Sequence, residues 1–389
     1  MVYFVSENII SSLGFTIQKN FNSLLKGEIG IRSINDSSYY PEPFPASMIN
    51  KQRLEKEFQK LAAKYSSNSN FTKLEKMLLL SVNDTLSKTE IDIASHRTAI
   101  VLSTTKGNID LLEKEKSKEF ETERVLLWKL GEIIGRFFNN PNEVIVISNA
   151  CISGVLAINT AAMLIKSNQY DNVVVTGGDI LSKFVVSGFM SFLSLSPTAC
   201  KPFDKNRDGL SLGEAAGTIV LSKFPSVGKQ NIIFRGGSSA NDANHISGPS
   251  RTAEGSFIAI KKAMKEAKLD SKEIDHISAH GTATPYNDEM ESIAIERHGM
   301  QNTPVNSIKG SLGHTLGAAG IIETAILLEE MRQNTTLLTA GFQKIGVSKP
   351  INILNKNTKK ELKTCLKMAS GFGGSNAALI VSKVESPIP

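Results

Sequence analysis

The chain has 389 residues, 41% of them hydrophobic and 21% charged; this composition excludes a disordered or fibrous chain, and the length suffices for two core-forming units. Three cysteines, Cys151, Cys200 and Cys365, cannot build a disulfide framework in so long a chain and imply a reducing compartment. The net charge of +6 suits a nucleic acid or an acidic protein partner, but the lysines are spread without an aromatic-interleaved stripe, so no nucleic-acid partner is expected.

Met1 to Asn8 has no basic leader and no long apolar core, so it is not read as a secretory signal. The best apolar run, Val155 to Ile165, is interrupted by Asn159 and Thr160. No membrane span is expected, and the protein is expected to be cytoplasmic.

In chain order, Val2 to Val5 reads as a strand and Phe15 to Leu25 as an amphipathic helix. Asn35 to Pro45, with three prolines and two tyrosines, reads as an irregular excursion. Phe71, Leu74, Met77, Leu78 and Val82 mark a helix. Ala99 to Ser103 is a buried strand, the sign-alternating Glu113 to Glu119 a solvated helical face, and Phe120 to Phe138 a longer helix. Glu143 to Ser148 is apolar and β-branched, and Ile152 to Ile165 is helical, so Cys151 stands where a buried strand turns into a helix. Val173 to Val175, ending in Gly177 and Gly178, and Thr218 to Leu221 complete a first set of strands.

The rhythm then repeats. Ile232 to Phe234, Ile274 to Ala279, Val305 to Ile308, Cys365 to Ala369 and Asn376 to Ser382 read as strands. Ser256 to Ala267, Asp288 to His298 and Leu316 to Met331 read as helices. Alternating strands and helices predict an α/β protein with mixed, mostly parallel sheets covered on both faces. The repetition predicts two duplicated halves, residues 1–224 and 225–389, joined near Phe224 to Gln230.

Three further stretches carry chemistry: His280-Gly281-Thr282-Ala283-Thr284-Pro285, Lys309-Gly310-Ser311-Leu312-Gly313-His314 and Gly371-Phe372-Gly373-Gly374. Alone, Cys151 could be a small core residue, or a nucleophile whose thiolate is favoured by the helix dipole. Two of only six histidines follow buried strands in glycine-rich turns, where ligands gather beyond strand carboxyl ends. With Cys151 at a third strand end, that placement favours the nucleophile. A second sulfur or carboxylate expected of a zinc site is not placed with them, so no metal is expected. Glu214 and Asp208, in glycine-rich sequence, read as structural. Asp288 reads as a helix cap, and Cys200 and Cys365 as core residues.

These motifs, with Lys201-Pro202-Phe203-Asp204, Arg207-Asp208-Gly209 and Gly213-Glu214-Ala215-Ala216-Gly217, resemble those of elongating, Cys-His-His type β-ketoacyl–acyl carrier protein synthases of the thiolase-like superfamily. The similarity is good from Ala99 to Val381. It implies a layered αβαβα fold and the decarboxylative condensation of an acyl group on Cys151 with a malonyl thioester. In that reading His280 and His314 are the paired histidines, and Lys309 and Glu323 are similar to the buried charged pair that sustains them. Phe372 resembles a gating phenylalanine whose backbone N–H joins that of Cys151 in an oxyanion hole, flanked by Gly371 and Gly373. Phe189 matches a residue beside the acyl pocket, and Thr282, Thr284 and Ser247 match hydroxyls that bind the pantetheine arm.

The resemblance also implies no cofactor beyond the phosphopantetheine of an acyl carrier protein, and pairing as a homodimer or with a second ketosynthase-like subunit. A short amino-terminal portion and a tight Ser194 to Lys201 passage lean toward polyene or polyketide assembly over housekeeping fatty-acid synthesis. The alternative is a non-condensing, chain-length-determining partner subunit. Such subunits lack the nucleophile, which this chain retains.

Overall fold

A computed structural model describes residues 1–384 except 66–68, 114, 115, 117, 227–229, 243–247 and 249. Ser247 and part of the expected join therefore lie outside the described residues. Eleven strands make the main sheet: β1 (Tyr3–Ile10), β2 (Thr98–Ser103), β3 (Ile145–Ile147), β4 (Asn172–Asp179), β5 (Ala215–Ser222), β6 (Ile232–Asn241), β7 (His276–Ser278), β8 (Pro304–Asn306), β9 (Asn352–Ile353), β10 (Thr364–Gly371) and β11 (Ser375–Lys383).

Their spatial order is β9-β8-β7-β10-β11-β6-β1-β5-β4-β2-β3. Pairing is parallel among β4, β2 and β3 and among β10, β7, β8 and β9, and antiparallel through the centre. Counted from β1, the first five strands lie in the order first, fifth, fourth, second, third; β6, β11, β10, β7 and β8 repeat that order with the same strand senses. The two runs meet where Tyr3 pairs with Ile233 and Phe4 with Ile232.

The helices are α1 (Ile17–Leu25), α2 (Lys51–Lys64), α3 (Lys73–Leu86), α4 (Leu127–Phe137), α5 (Ser153–Lys166), α6 (Lys183–Ser191), α7 (Glu254–Ala267), α8 (Pro285–Arg297), the single turn α9 (Lys309–Leu312) and α10 (Ala319–Gln333). Strand side chains alternate between two environments. Val173 and Val175 join a core built on α5 and α10, whereas Val174 faces a second core with Leu74, Met77 and Leu78 of α3. In the other run, Leu379 and Val381 face the α5/α10 core, while Ala378 and Ile380 pack with Ala259 and Ile260 of α7. The result is five layers, αβαβα, with α5 and α10 in the middle.

Sequence and structure differ where local signals were weak. The described residues between Glu113 and Phe120 are turn and bend, where Lys116 pairs with Asp110 at 3.1 Å and, at i,i+3 spacing, with Glu113 at 3.0 Å. The expected Phe120–Phe138 helix is a 3₁₀ turn, Thr122–Val125, followed by α4. Phe44–Ser47 is a short strand rather than loop. Helices α2 and α6 had no expected counterpart.

Candidate active site

Cys151 follows β3 and precedes α5, on an elbow where Ala150 takes φ 43°, a left-handed conformation that non-glycine residues adopt at a cost. Ser153 holds the elbow: its hydroxyl donates to the Ala150 carbonyl at 2.6 Å and accepts the Asn149 N–H at 2.8 Å. Gly371 presses on the other side, where a Cβ would sit 3.0 Å from the Cys151 backbone nitrogen. Gly154 lets the central helices cross closely, since a Cβ there would lie 2.7 Å from the Ile321 nitrogen.

His280 follows β7 and His314 follows α9, beyond β8. Both are buried, their ring centroids 5.1 Å apart at 85°. One donor atom from each of Cys151, His280 and His314 lies within 4.8 Å of the others. The three therefore face one space, a cavity of about 470 Å³ lined also by Phe189, Thr282, Thr284, Gly371 and Phe372. Phe372 stacks on Phe189 with centroids 5.9 Å apart, and Thr282 and Thr284 share a hydroxyl hydrogen bond at 2.9 Å. Gly373, at φ 82°, is not among the lining residues; its place is in the backbone turn rather than against substrate.

The charged shell fixes the ring chemistry. The Lys309 ammonium donates its three protons to the His280 carbonyl at 2.6 Å, to His280 Nδ1 at 3.2 Å and to Glu323. His280 Nδ1 is therefore an acceptor, and Nε2 carries the ring proton. Burial first, then Lys309, His314 and Lys367, holds the His280 pKa well below its ordinary value. Burial, Lys309, Lys106 and Lys367 do the same for His314. Both imidazoles are neutral at pH 7.

One expectation is corrected. Burial pushes the Cys151 thiol up to about 11, although Lys106 and Lys309 pull the other way, so the resting sulfur is protonated rather than a dipole-stabilised thiolate. A protonated thiol, an occupied Nδ1 and two nearby ammonium groups make this trio a poor nest for a divalent cation.

Sequence reasoning missed Glu291, Asp179 and Lys367. Glu291 accepts the N–H groups of His280 at 2.7 Å and Gly281 at 2.6 Å. Asp179 accepts Gly317 N–H at 2.7 Å and the Thr104 hydroxyl at 2.9 Å. Lys367, fully buried, was detectable as a lone cation within an apolar strand. Asp288 is not the expected cap, since α8 begins at Pro285 with Thr284 at its N-cap; it accepts Phe203 N–H at 2.6 Å and Ala283 N–H at 3.2 Å, and burial pushes its carboxyl up to about 7. Glu214 is structural, gripping Lys73 at 2.6 Å and Leu181 N–H at 3.1 Å.

A cysteine on a strained strand-to-helix elbow, faced by two neutral imidazoles within a duplicated strand order, defines a thiolase-like acyltransferase working through a covalent intermediate. Residues 7–224 match the β-ketoacyl synthase N-terminal domain and residues 232–343 its C-terminal domain. The chain belongs to the β-ketoacyl synthase family and is a condensing enzyme. The match begins at residue 7, well before Ala99, where the good similarity of the motifs starts. A 3-oxoacyl-[acyl-carrier-protein] synthase 2 of Vibrio cholerae is 29% identical, covering 97% of this chain and 97% of that protein. A ketosynthase solved in complex with its chain length factor, from Xenorhabdus doucetiae, has a TM-score of 0.86 at 25% identity over 98% of each chain. A type II polyketide acyl carrier protein in complex with its ketosynthase is similar in fold, with a TM-score of 0.82 at 20% identity, covering 98% of this chain and 99% of that one. No helix among the described residues is long and apolar enough to cross a membrane.

Proposed function

We propose that this enzyme extends an acyl chain carried by Cys151, using malonyl units delivered on the phosphopantetheine of an acyl carrier protein and no further cofactor. In the first half-reaction the Cys151 sulfur attacks the carrier-bound thioester; the new C–S bond forms, the pantetheine C–S bond breaks, and the thiol proton ends on the departing thiolate. In the second, the malonyl C–CO2 bond breaks, CO2 leaves, and its electron pair makes an enolate. The enolate carbon attacks the acyl-cysteine, forming a C–C bond and breaking the acyl C–S bond to release the Cys151 thiolate, which takes a proton from water.

The charge to be stabilised develops on the malonyl thioester oxygen, and His280 and His314 serve it as neutral donors. Lys309 and Glu323 fix the His280 tautomer. The Cys151 and Phe372 amides take the oxyanion of the attacked acyl group, with Gly371 and Gly373 shaping that turn and Phe372 gating it. Thr282, Thr284 and Ser247 receive the pantetheine arm, and Phe189 borders the acyl chain. The observation that carries this reading is the convergence of the sulfur and two uncharged imidazoles on one cavity.

The same reading takes residues 1–224 and 225–389 as the duplicated halves, supported by the repeated strand order, and assigns a homodimer or a pairing with a second ketosynthase-like subunit. A specialised polyene or polyketide pathway is preferred over housekeeping fatty-acid synthesis. A non-condensing partner subunit is disfavoured because the nucleophile and both histidines are present. Incubation with acyl-carrier donors should add one acyl mass at Cys151, read by peptide mass spectrometry; labelling elsewhere, or none across a donor panel, overturns the reading.

A further inference from the structure

The turn that bears His280 is gripped on nearly every polar backbone atom. Glu291 of α8 takes the N–H groups of His280 and Gly281, and Lys309 takes the His280 carbonyl. The carbonyls just upstream go to Lys367, whose ammonium lies 3.2 Å from Ser278 O and 3.0 Å from Ala279 O. Its third proton goes to Met368 O at 2.6 Å. The same ammonium also pairs with Glu323 Oε2 at 2.7 Å.

Glu323 thus stands between two buried ammonium groups, Lys309 on Oε1 and Lys367 on Oε2. A single lysine would suffice to pair Glu323. The second faces another fully buried carboxyl as well, Glu291, so that two ammonium groups stand against two carboxyls behind the histidines and removing Lys367 would leave both carboxyls to Lys309 alone.

We propose that Lys367 is a positioning residue of this active site: it anchors the strand end leading into His280 and supplies the second buried positive charge behind the histidine pair. This role rests on the condensing reading. The groups facing the two rings are Lys309, Lys367, Glu323, Glu291 and Cys151, with Lys106 reaching His314 from the turn after β2. Both lysines depress the pKa of each histidine. Loss of Lys367 therefore makes the rings easier to protonate, and a protonated His280 would direct Nδ1–H at the Lys309 ammonium.

Lys367→Gln keeps donors for the carbonyls but removes the charge. Two readouts are taken on the full chain: malonyl-coenzyme A decarboxylation by the Cys151→Gln protein across about pH 5 to 9, and NMR titration of labelled histidines. Lys367→Gln should move the acid limb and both ring titrations to higher pH. Adding Glu323→Gln restores the net charge and should bring them back; a purely structural lysine would instead leave the limb in place with activity lost equally at all pH values. If Lys367→Gln alone does not fold, Glu323→Gln compared with Glu323→Gln/Lys367→Gln isolates the same charge, and the double variant must titrate at the higher pH. Unmoved titrations in either comparison overturn the proposal. Histidines that shift as stated in a protein that never releases CO2 would refute the condensing reading on which the role rests, whereas unmoved histidines in a protein that does release CO2 would refute the role of Lys367 alone.

Discussion

At the scale of single residues, the site separates two demands that one group could not meet. The sulfur must be inert until a thioester arrives, and burial supplies that by keeping it a thiol with its pKa pushed up to about 11. Alkylation of Cys151 by iodoacetamide should therefore keep accelerating from pH 8 to 10, where an ordinary cysteine levels off above about 8.5; a plateau near neutrality, read by mass spectrometry, would refute this. The imidazoles must donate without being charged, and the neighbouring lysines supply that. His314→Ala should slow malonyl decarboxylation about 100-fold or more, the usual cost of one preorganised donor, while acyl loading of Cys151 falls far less. Equal loss of both would show that His314 only shapes the pocket.

At the scale of elements, the reacting groups come from corresponding strand ends. β3 leads to Cys151, β7 to His280, β8 through α9 to His314, and β10 to Gly371 and Phe372. What brings the two halves into register is the crossing of α5 and α10 at Gly154 and Gly320, where a Cβ on Gly320 would lie 2.4 Å from the Val155 nitrogen. Gly154→Ala should destabilise the protein by about 1–3 kcal/mol, as overpacking does, and move the Cys151 elbow enough to lower activity; urea unfolding and an acyl-loading assay measure the two effects. The strand-end placement of Cys151, His280 and His314 was legible because strand, glycine turn and reactive side chain are contiguous in sequence. Glu291, Asp179 and Lys367 were not, because each acts on a turn supplied by another element, and no local spacing records that contact. The α2 and α6 helices escaped for a related reason: α2 is mostly polar, with only Leu54, Phe58 and Leu61 buried, and α6 is so apolar that its period is masked. The thiolate expectation failed because dipole reasoning is local, whereas desolvation depends on everything packed around the sulfur.

At the scale of the whole molecule, the sheet closes at neither end. β3 is an edge strand, partly exposed along its length and running directly into the nucleophile, and an open edge invites another strand. The helices that pack on it, α4 and α5, present Trp128 at 55% and Met163 at 67% exposure, with Leu126 beside them at 46%. A three-residue strand cannot by itself bury the roughly 800 Å² per partner of a stable interface, so a two-fold contact at this edge must also use the exposed side chains that α4 and α5 present on either side of it. Light scattering on the purified chain should give twice the chain mass. Trp128→Glu/Met163→Glu, which alters only exposed side chains, should reduce it to a monomer that remains folded by circular dichroism, because a buried tryptophan is commonly worth about 2 kcal/mol or more at such a contact. If the unaltered chain is a monomer alone but pairs with a second ketosynthase-like subunit through the same residues, the face serves a heterodimer. A monomer under both conditions would remove the paired assembly from the account.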